Sequence, residues 1–283
     1  MRITCVGLST VDLVHRVPRI PGPDEKAQAT SVTVAAGGPA LNAAVTAAVL
    51  GAEVTLVTAI GAHPLGDLIK QDLDGYGVSL LDAAASSTEP PPLSAVTVEE
   101  GTGRRSIVSR NAGALTLSMP RCDLSGVVLV DGHHPVLARA AAAGAGTLVV
   151  DAGHWRPVFA EVLPHADVVA ASAGFHLPGG GPLRSVAPHV AVTDGPAPVR
   201  WWSGTESGER PVPTVDAADT AGAGDAFHGA LAVAIARATG FLDALDEAIR
   251  VAAIRVQHPG PRSWLTDPRL RTMITRRRRR PRA

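Results

Sequence analysis

The sequence predicts an α/β protein of three layers, in which helices cover both faces of a mainly parallel sheet and a small β-sheet forms a lid. Short β-branched runs alternate along the chain with Ala- and Leu-rich stretches of helical period. Because the runs are apolar throughout, both faces of each strand are expected to be buried, as in parallel sheets. The predicted strands are Ile3–Leu8, Val54–Ile60, Val127–Val130, Thr147–Asp151, Val168–Ala171 and Val190–Thr193.

Helices are predicted between and after these strands, where apolar residues recur every three to four positions. With 46% hydrophobic and 18% charged residues, the chain can bury the large core that this architecture needs. Aromatic residues make up only 3%, so Ala, Val and Leu are expected to fill that core. The predicted helices are Pro39–Leu50, Leu65–Tyr76, Pro135–Ala143, Arg156–Leu163 and, as two long ones, about Ala223–Thr239 and Leu242–Gln257.

Two segments, residues 12–35 and 93–110, interrupt this alternation. Polar and apolar residues alternate in Ala29–Val34, Leu93–Val98 and Arg104–Arg110, and Gly residues stand in the turn before the last of these. A period of two with a Gly turn is typical of antiparallel strands that have one solvated face. We predict that both segments form a small sheet that projects from the main domain as a lid. Edge strands of the main sheet are the alternative.

Charge is distributed unevenly along the chain. Lys and Arg together number 26, as do Asp and Glu, but residues 271–283 contain seven Arg and no acid. We therefore predict one domain over residues 1–265 and an Arg-rich tail over 266–283 that is disordered in solvent. Binding of the tail to nucleic acid or acidic lipid is the alternative. The remaining chain is acidic and has no basic stripe, so no nucleic-acid partner is expected.

The chain lacks the marks of a secreted or membrane protein. Cys5 and Cys122 are too few for a disulfide framework or a zinc site. No apolar run approaches the roughly 18 residues that a membrane span requires, and no signal peptide is apparent. We expect a soluble cytoplasmic protein without a membrane partner.

The stretch Asp219–Phe227 carries the clearest chemical signal. Its loop Gly222–Gly224 opens directly into an Ala-rich helix, and the free N–H groups at such a helix start bind phosphoryl oxygens. Asp225 stands in the first turn, where a carboxylate can take a proton from an attacking hydroxyl. The residues alone also fit a tight turn with Asp225 as a helix cap. Neither a P-loop nor a strand followed by G-x-G-x-x-G is present.

Two separated motifs resemble those of the PfkB/ribokinase family of kinases. Asp219-Thr-Ala-Gly-Ala-Gly-Asp225 matches the family's D-[ST]-x-G-A-G-D signature at every defined position. Far upstream, Gly37-Gly38-Pro-Ala-Leu-Asn42 resembles its G-G-x-x-x-N motif. The resemblance extends to about residue 260. It implies a ribokinase-like fold and an ATP-dependent sugar kinase with Asp225 as the general base.

The resemblance also implies roles for other residues. Sugar-binding residues would be Asp12, Gly37, Gly38 and Asn42, with Arg110 and Asn111 added from the lid. The anion hole would be Gly222, Ala223 and Gly224, and the nucleotide would meet Thr193, Gly195 and Thr220. An Arg suits an anionic substituent on the sugar, although Arg110 also fits an exposed lid charge. Mg²⁺ would be held by phosphates and water, so no side chain is assigned to it.

The sequence departs from the family pattern near the expected Mg²⁺ site. An N-x-x-E motif near the Mg²⁺ site is common in the family, whereas this chain has Ser172 and Phe175 there. A nucleoside kinase of the same fold and a catalytically silent sugar- or nucleotide-binding relative are therefore the rival functions.

His133 and His134 follow a predicted strand, and we expect them to lie in a loop or contact substrate rather than to bind zinc. A homodimer formed through the lid is the expected assembly.

Overall fold

The computed structural model describes residues 1–102, 104–111 and 115–275, which fold into alternating strands and helices. The strands of this part of the chain are β1 (Arg2–Val6), β2 (Thr10–Val17), β3 (Ser31–Gly37), β4 (Glu53–Thr58), β5 (Ser79–Asp82), β6 (Leu93–Glu99), β7 (Arg105–Arg110), β8 (Val127–Val130), β9 (Thr147–Ala152), β10 (Val168–Ser172), β11 (His189–Asp194), β12 (Ala197–Ser203) and β13 (Glu206–Arg210). The helices are α1 (Pro39–Val49), α2 (Pro64–Gly75), α3 (Pro135–Gly144), α4 (Phe159–Val162), α5 (Ala223–Ala236), α6 (Phe241–Val256) and α7 (Pro268–Thr275).

Nine strands form the main sheet in the order β13-β12-β11-β10-β9-β8-β1-β4-β5. The seven strands from β11 to β5 run parallel, while β12 and β13 add an antiparallel edge. Side chains alternate between the two faces: Val127 and Leu129 join the core under α1, α5 and α6, and Val128 and Val130 join the core under α3 and α4. This confirms the predicted three layers and the burial of each strand on both faces.

Four strands form the separate small sheet, in the order β3-β2-β6-β7. Both alternating segments contribute to it, so the lid was predicted correctly and the edge-strand alternative is wrong. One pairing differs from expectation, because β2 and β6 run parallel. No hairpin joins these two strands, since the chain passes through the main domain between them, and their direction is therefore not constrained by a turn.

The helix predicted at Arg156–Leu163 is much shorter in the structure. Only Phe159–Val162 is α-helical, and a 3₁₀ turn follows at Leu163–His165. Pro164 explains the early end, because a proline has no N–H to donate to the preceding turn. The short β5 and the edge strands β12 and β13 were not predicted as separate strands.

The predicted disordered tail starts too early. Residues 268–275 form α7, and the side chain of Leu270 is 1% exposed within the larger of the two cores. The apolar Leu270 thus anchors the first part of the Arg-rich segment to the domain. Residues 276–283, with most of the arginines, lie outside the described residues. Within the part of the chain that is described, no helix is both long and apolar enough to cross a membrane.

Candidate active site

A cleft of about 840 Å³ lies between the lid and the main domain. The cleft face of the lid forms one wall, and the start of α1, the loop before α5 and the segment 259–264 form the other. The site therefore brings together residues from the first 50 positions and from the last 70 of the chain. Most of the polar residues that were predicted to act chemically face this space.

The start of α5 forms an anion-binding end in the cleft. Gly222 precedes the helix with a φ of 71°, a left-handed conformation that favours glycine. The N–H of Ala223 bonds the Thr220 carbonyl at 3.3 Å, whereas the N–H groups of Gly224 and Asp225 have no acceptor within the helix. Both groups and the positive end of the helix dipole favour a phosphoryl group here.

Asp219 fixes the loop that leads into α5. Its carboxylate accepts hydrogen bonds from the N–H of Ala221 and of Gly260, both at 3.0 Å. The buried guanidinium of Arg255 lies 3.5 Å from the same carboxylate and donates to the Asp219 carbonyl at 3.4 Å. The first aspartate of the motif is therefore a structural anchor, and Arg255 brings a cation close to the anion-binding loop.

Asp225 and Asn42 meet at the centre of the cleft. The side-chain amide of Asn42 donates to Oδ2 of Asp225 at 2.7 Å, across 183 positions of the chain. Asn42 lies in the first turn of α1, which Gly38 allows to start close to β1. Gly38 has a φ of 97°, and a Cβ there would lie 2.5 Å from the carbonyl oxygen of Leu8. The two family motifs thus build one site.

Asp12 lies on the lid and faces Asp225. Its carboxylate accepts from the hydroxyl of Thr10 at 2.7 Å and packs on the bare Cα of Gly37, where a Cβ would overlap it. Burial raises the pKa of Asp12, hydrogen bonds from Thr10 and Ser94 oppose that rise, and the charge of Asp225 adds to it. A bound molecule with several hydroxyl groups could donate hydrogen bonds to both carboxylates.

The other lid residues divide by their position along β7. Asn111 lines the cleft, as do Arg105, Ile107 and Ser109, because alternate residues of a strand point to the same face. Arg110 does not line it: its side chain lies on the other face, 3.4 Å from Glu89. The structure therefore does not bring Arg110 to the predicted sugar site.

The residues predicted to bind the nucleotide are also separated. Thr220 lines the cleft beside Gly222, whereas Thr193 and Gly195 do not. Thr193 is the penultimate residue of β11, with its hydroxyl 3.4 Å from the Ala171 carbonyl, and Gly195 stands in the following turn with a φ of 53°. Both lie at the carboxyl edge of the main sheet, outside the cleft wall.

Sequence reasoning missed Arg262, a charged group of the cleft, and its partner Asp72 on α2. Arg262 binds Asp72 through Nε and Nη2, with a shortest distance of 2.8 Å. It also donates to Oδ1 of Asn42 at 3.0 Å and to the Ala36 carbonyl at 3.1 Å. No motif marks either residue, and they lie 190 positions apart.

Asp151 is a further buried acid that no motif marks. It is the penultimate residue of β9, and Nδ1 of His228 on α5 lies 3.4 Å from its carboxylate. Burial raises the pKa of Asp151 to about 6, the positive charge of His228 opposes the rise, and the charge of Asp225 adds to it. The only sequence signal was an acid at the end of an apolar strand, a common position for functional residues.

The comparisons with known proteins agree with this geometry. A model of the pfkB family carbohydrate kinases matches residues 1–173 and 181–267, which is most of the chain. The chain belongs to this family. Ribokinase of Bacillus subtilis (strain 168) is 26% identical to it over 273 residues, covering 90% of this chain and 93% of that protein.

Solved structures show the same fold. A ribokinase of Arabidopsis thaliana, complexed with ribose and ATP, has a TM-score of 0.81 at 24% identity, with 97% of this chain and 98% of that chain covered. A nucleoside kinase of Methanocaldococcus jannaschii has a TM-score of 0.80 at 17% identity, with the same coverage. The ribokinase-like fold predicted from the two motifs is confirmed.

This pfkB-family chain fills the usual N-x-x-E position with groups that do not bind metal. The hydroxyl of Ser172 donates to the Gly153 carbonyl at 2.5 Å, and Phe175 packs between Trp155 and Phe159 with ring centres 5.8 and 5.6 Å away. Among the described residues no group of three His, Cys, Asp or Glu side chains could hold a metal ion.

Of the two histidines after β8, His133 has structural partners. Nδ1 of His133 lies 3.2 Å from Asp131 and its Nε2 lies 2.5 Å from Arg156. His134 is buried at the start of α3, and burial lowers its pKa. Asp131 accepts from the N–H of Leu8 at 2.8 Å, so this group holds the loops at the sheet edge. Of the two predicted roles, the loop role fits the geometry.

The raised pKa of Asp151 predicts how stability depends on pH. The folded protein binds this proton up to about pH 6 and the unfolded chain only up to about pH 4, so the carboxylate destabilises the fold increasingly between these values. Asp151→Asn should therefore raise the free energy of unfolding, with a gain that grows through this window to about 3 kcal/mol at pH 8. Urea unfolding from pH 4 to 8 measures the gain.

The exposed Asp216 provides the matched control, because Asp216→Asn should leave the unfolding free energy unchanged at every pH. A destabilised Asp151→Asn at pH 8 would show instead that the carboxylate is held by favourable contacts.

Proposed function

We propose that this chain is an ATP-dependent kinase that transfers the γ-phosphoryl group to a hydroxyl of a small sugar or sugar derivative. One observation carries the proposal: the Asp225 carboxylate, oriented by Asn42 at 2.7 Å, stands in the first turn of α5 beside free N–H groups and faces the same cleft as Asp12. A base, an anion site and a polar acceptor wall therefore meet in one space. Membership of the pfkB family supports the same conclusion.

The acceptor would bind against the lid end of the cleft. Asp12 accepts hydrogen bonds from sugar hydroxyls, and Gly37 and Gly38 leave room for the sugar ring against the backbone. Asn111 adds a polar group from the end of β7. Hydroxyl groups are costly to bury without partners, and this set of acceptors and donors supplies them.

The donor would place its phosphates at the start of α5. The N–H groups of Gly224 and Asp225 would contact phosphoryl oxygens, with Gly222 and Ala223 shaping the loop, and Thr220 would border the nucleotide. Thr193 and Gly195 remain predicted nucleotide contacts at the sheet edge. Mg²⁺, when bound with the phosphates, supplies positive charge to them.

The chemical step would then depend on this chain's own groups. Asp225 accepts the proton of the acceptor hydroxyl as that oxygen bonds to phosphorus and the bond to the leaving phosphate oxygen breaks. The helix start and the nearby Arg255 stabilise the negative charge that is transferred. The lid reduces access of water, which would otherwise compete as the acceptor.

Asp225→Asn tests the proposal directly, because an amide cannot take the proton. In wild-type protein, one acceptor from a panel of sugars, sugar acids and nucleosides should be phosphorylated with consumption of ATP. The variant should lose about 10²–10⁴-fold in kcat while its KM values change little. Coupled measurement of ADP release follows both proteins.

Other outcomes of the panel distinguish the rival functions. Turnover of nucleosides alone would make the chain a nucleoside kinase, a function that the name of the M. jannaschii relative keeps in view. Calorimetric binding of ATP or a sugar without turnover of any acceptor would show a silent binding relative and would contradict the proposal.

The cleft face of the lid has a cationic end that bears on the choice of acceptor. In the register of the sheet, Arg16 lies opposite Val98 of β6, and Val98 lies opposite Arg105 of β7. Arg16 and Arg105 both line the cleft, and neither guanidinium bonds another described residue. They stand four residues beyond the row of Asp12, about 13 Å along the strands. Because Arg side chains are long, an acceptor bound at Asp12 would need to extend over less than this distance to reach a guanidinium.

An extended sugar derivative with an anionic group at its far end would match this arrangement. Arg105→Gln and Arg16→Gln should each raise KM for such an acceptor about tenfold and leave KM for a neutral sugar nearly unchanged, since a charged hydrogen bond is lost only with the anion. Arg110→Gln, on the opposite face of β7, is the matched control. Equal KM values for all three variants would contradict an anion-binding role.

The outer face of the lid supports the expected homodimer. The register places Val34, Leu13, Ala95 and Val108 in one row across all four strands, on the face away from the cleft. Val34 and Val108 are 49% and 74% exposed. An apolar row on a sheet face is unfavourable in water, and a second copy of the chain would cover it with the same row.

Solution mass measures this assembly. Wild-type protein in light scattering should have about twice the 29.0 kDa chain mass. Val108→Asp should reduce the mass to that of one chain, because a carboxylate cannot be buried unpaired in the interface. Val136→Asp, at an exposed position of α3, should leave the mass unchanged. A wild-type mass of one chain would rule out the homodimer.

A further inference from the structure

Arg262 connects α2 to the start of α1, where Asn42 contacts Asp225. Its guanidinium makes three bonds to the Asp72 carboxylate, from Nη2 to Oδ2 at 2.8 Å and from Nε to Oδ2 and Oδ1 at 3.1 and 3.2 Å. It also makes one bond to Oδ1 of Asn42 at 3.0 Å and one to the Ala36 carbonyl at 3.1 Å. The side chain is largely buried, with 18% exposed, so these bonds are protected from water. Asp72 on α2 thus anchors a cation whose other arm contacts Asn42.

This contact determines which way the Asn42 amide points. The guanidinium can only donate, so it faces the carbonyl oxygen of Asn42 and turns the amide nitrogen towards Asp225. With the amide reversed, Oδ1 would lie against the Asp225 carboxylate, and two acceptors repel each other. The orientation of Asn42 is therefore determined by Arg262, which belongs to neither of the two motifs.

We propose that Arg262 is a positioning residue for phosphoryl transfer: by fixing the Asn42 amide, it holds Oδ2 of Asp225 and leaves Oδ1 free for the acceptor hydroxyl. This inference rests on the proposed function. The carbonyl oxygen of Asn42 is occupied by Arg262, so Asn42 acts on Asp225 and is less available to the sugar than the motif implied. Asp72 belongs to the same chain of contacts as the anchor of Arg262.

The geometry requires an arginine. Only a planar fork reaches two oxygens of Asp72, the Asn42 oxygen and a backbone carbonyl at once, whereas a lysine ammonium has three donors without a fixed plane. A lysine would keep a positive charge near Asp225 but would lose the contact that orients Asn42. Substitution of Arg262 by lysine therefore tests the effect of the positive charge separately from the orientation of Asn42.

Three variants test the inference. Arg262→Met should lower kcat by about 10–100-fold with little change in KM for ATP, because a misplaced base reacts slowly. Arg262→Lys should recover little of the lost kcat, because it keeps the positive charge without the planar fork that orients Asn42. Arg237→Met removes a buried Arg that bonds Glu247 at 2.6 Å and lies away from the cleft. It should change neither kcat nor the KM for ATP.

A second measurement does not depend on turnover. The side-chain amide signals of Asn42, followed by ¹⁵N NMR, should shift in Arg262→Met relative to wild type because the contact to Oδ1 is lost, with Asn42→Asp used to assign the signals. Where the Met variant does not fold, Arg262→Lys takes its place, with the loss of kcat and changed Asn42 amide shifts as its readouts.

The outcomes separate the inference from the proposed function. A wild-type protein that phosphorylates no acceptor refutes the proposed function, while the NMR spectra still test whether Arg262 orients the Asn42 amide. A folded Arg262→Met with unchanged kcat and unchanged Asn42 amide signals overturns the inference and leaves the kinase assignment intact.

Discussion

Negative charge at the carboxyl edge of the main sheet has to be held in place by fixed positive groups of the protein. Asp12 and Asp225 face one cleft, and Asp151 lies buried close behind. A phosphate donor adds further charge to the same region. Burial disfavours the charged form of a carboxylate, and it raises the pKa of both Asp12 and Asp151.

The positive groups are themselves fixed by hydrogen bonds. Arg255 is tied to the carbonyl groups of Asp219 and His258, Arg262 is tied to Asp72, and the N–H groups of α5 are held by the helix. Such preorganised dipoles and cations need not rearrange when charge moves during a reaction, which is the main source of electrostatic catalysis. The structural contacts around the loop are therefore also the conditions for its chemistry.

What could be predicted from the sequence follows from how local each signal is. Apolar runs predicted the sheet, alternating segments predicted the lid, and the two motifs identified Asn42 and Asp225 as site residues. Each of these signals lies in residues that are close together in the sequence. Arg262 and Asp72 could not be found, since neither has a local pattern and only the fold brings them together. Arg110 was misplaced for another reason: a side chain's face depends on the exact strand register, and a shift of one residue reverses it.

The low aromatic content of the chain is connected with this site. Helix α5 packs on α1 so closely that a Cβ at Gly229 would lie 2.5 Å from the Ala43 carbonyl, and Ala residues fill most of the remaining contact. Larger side chains would move the two helices apart, and the hydrogen bond between Asn42 and Asp225 would be lost. The 2.7 Å contact between Asn42 and Asp225 requires that short separation, because both side chains are short and leave from the first turns of these helices. A core built from Ala and Gly is thus the condition for placing the base on one helix and its orienting amide on the other.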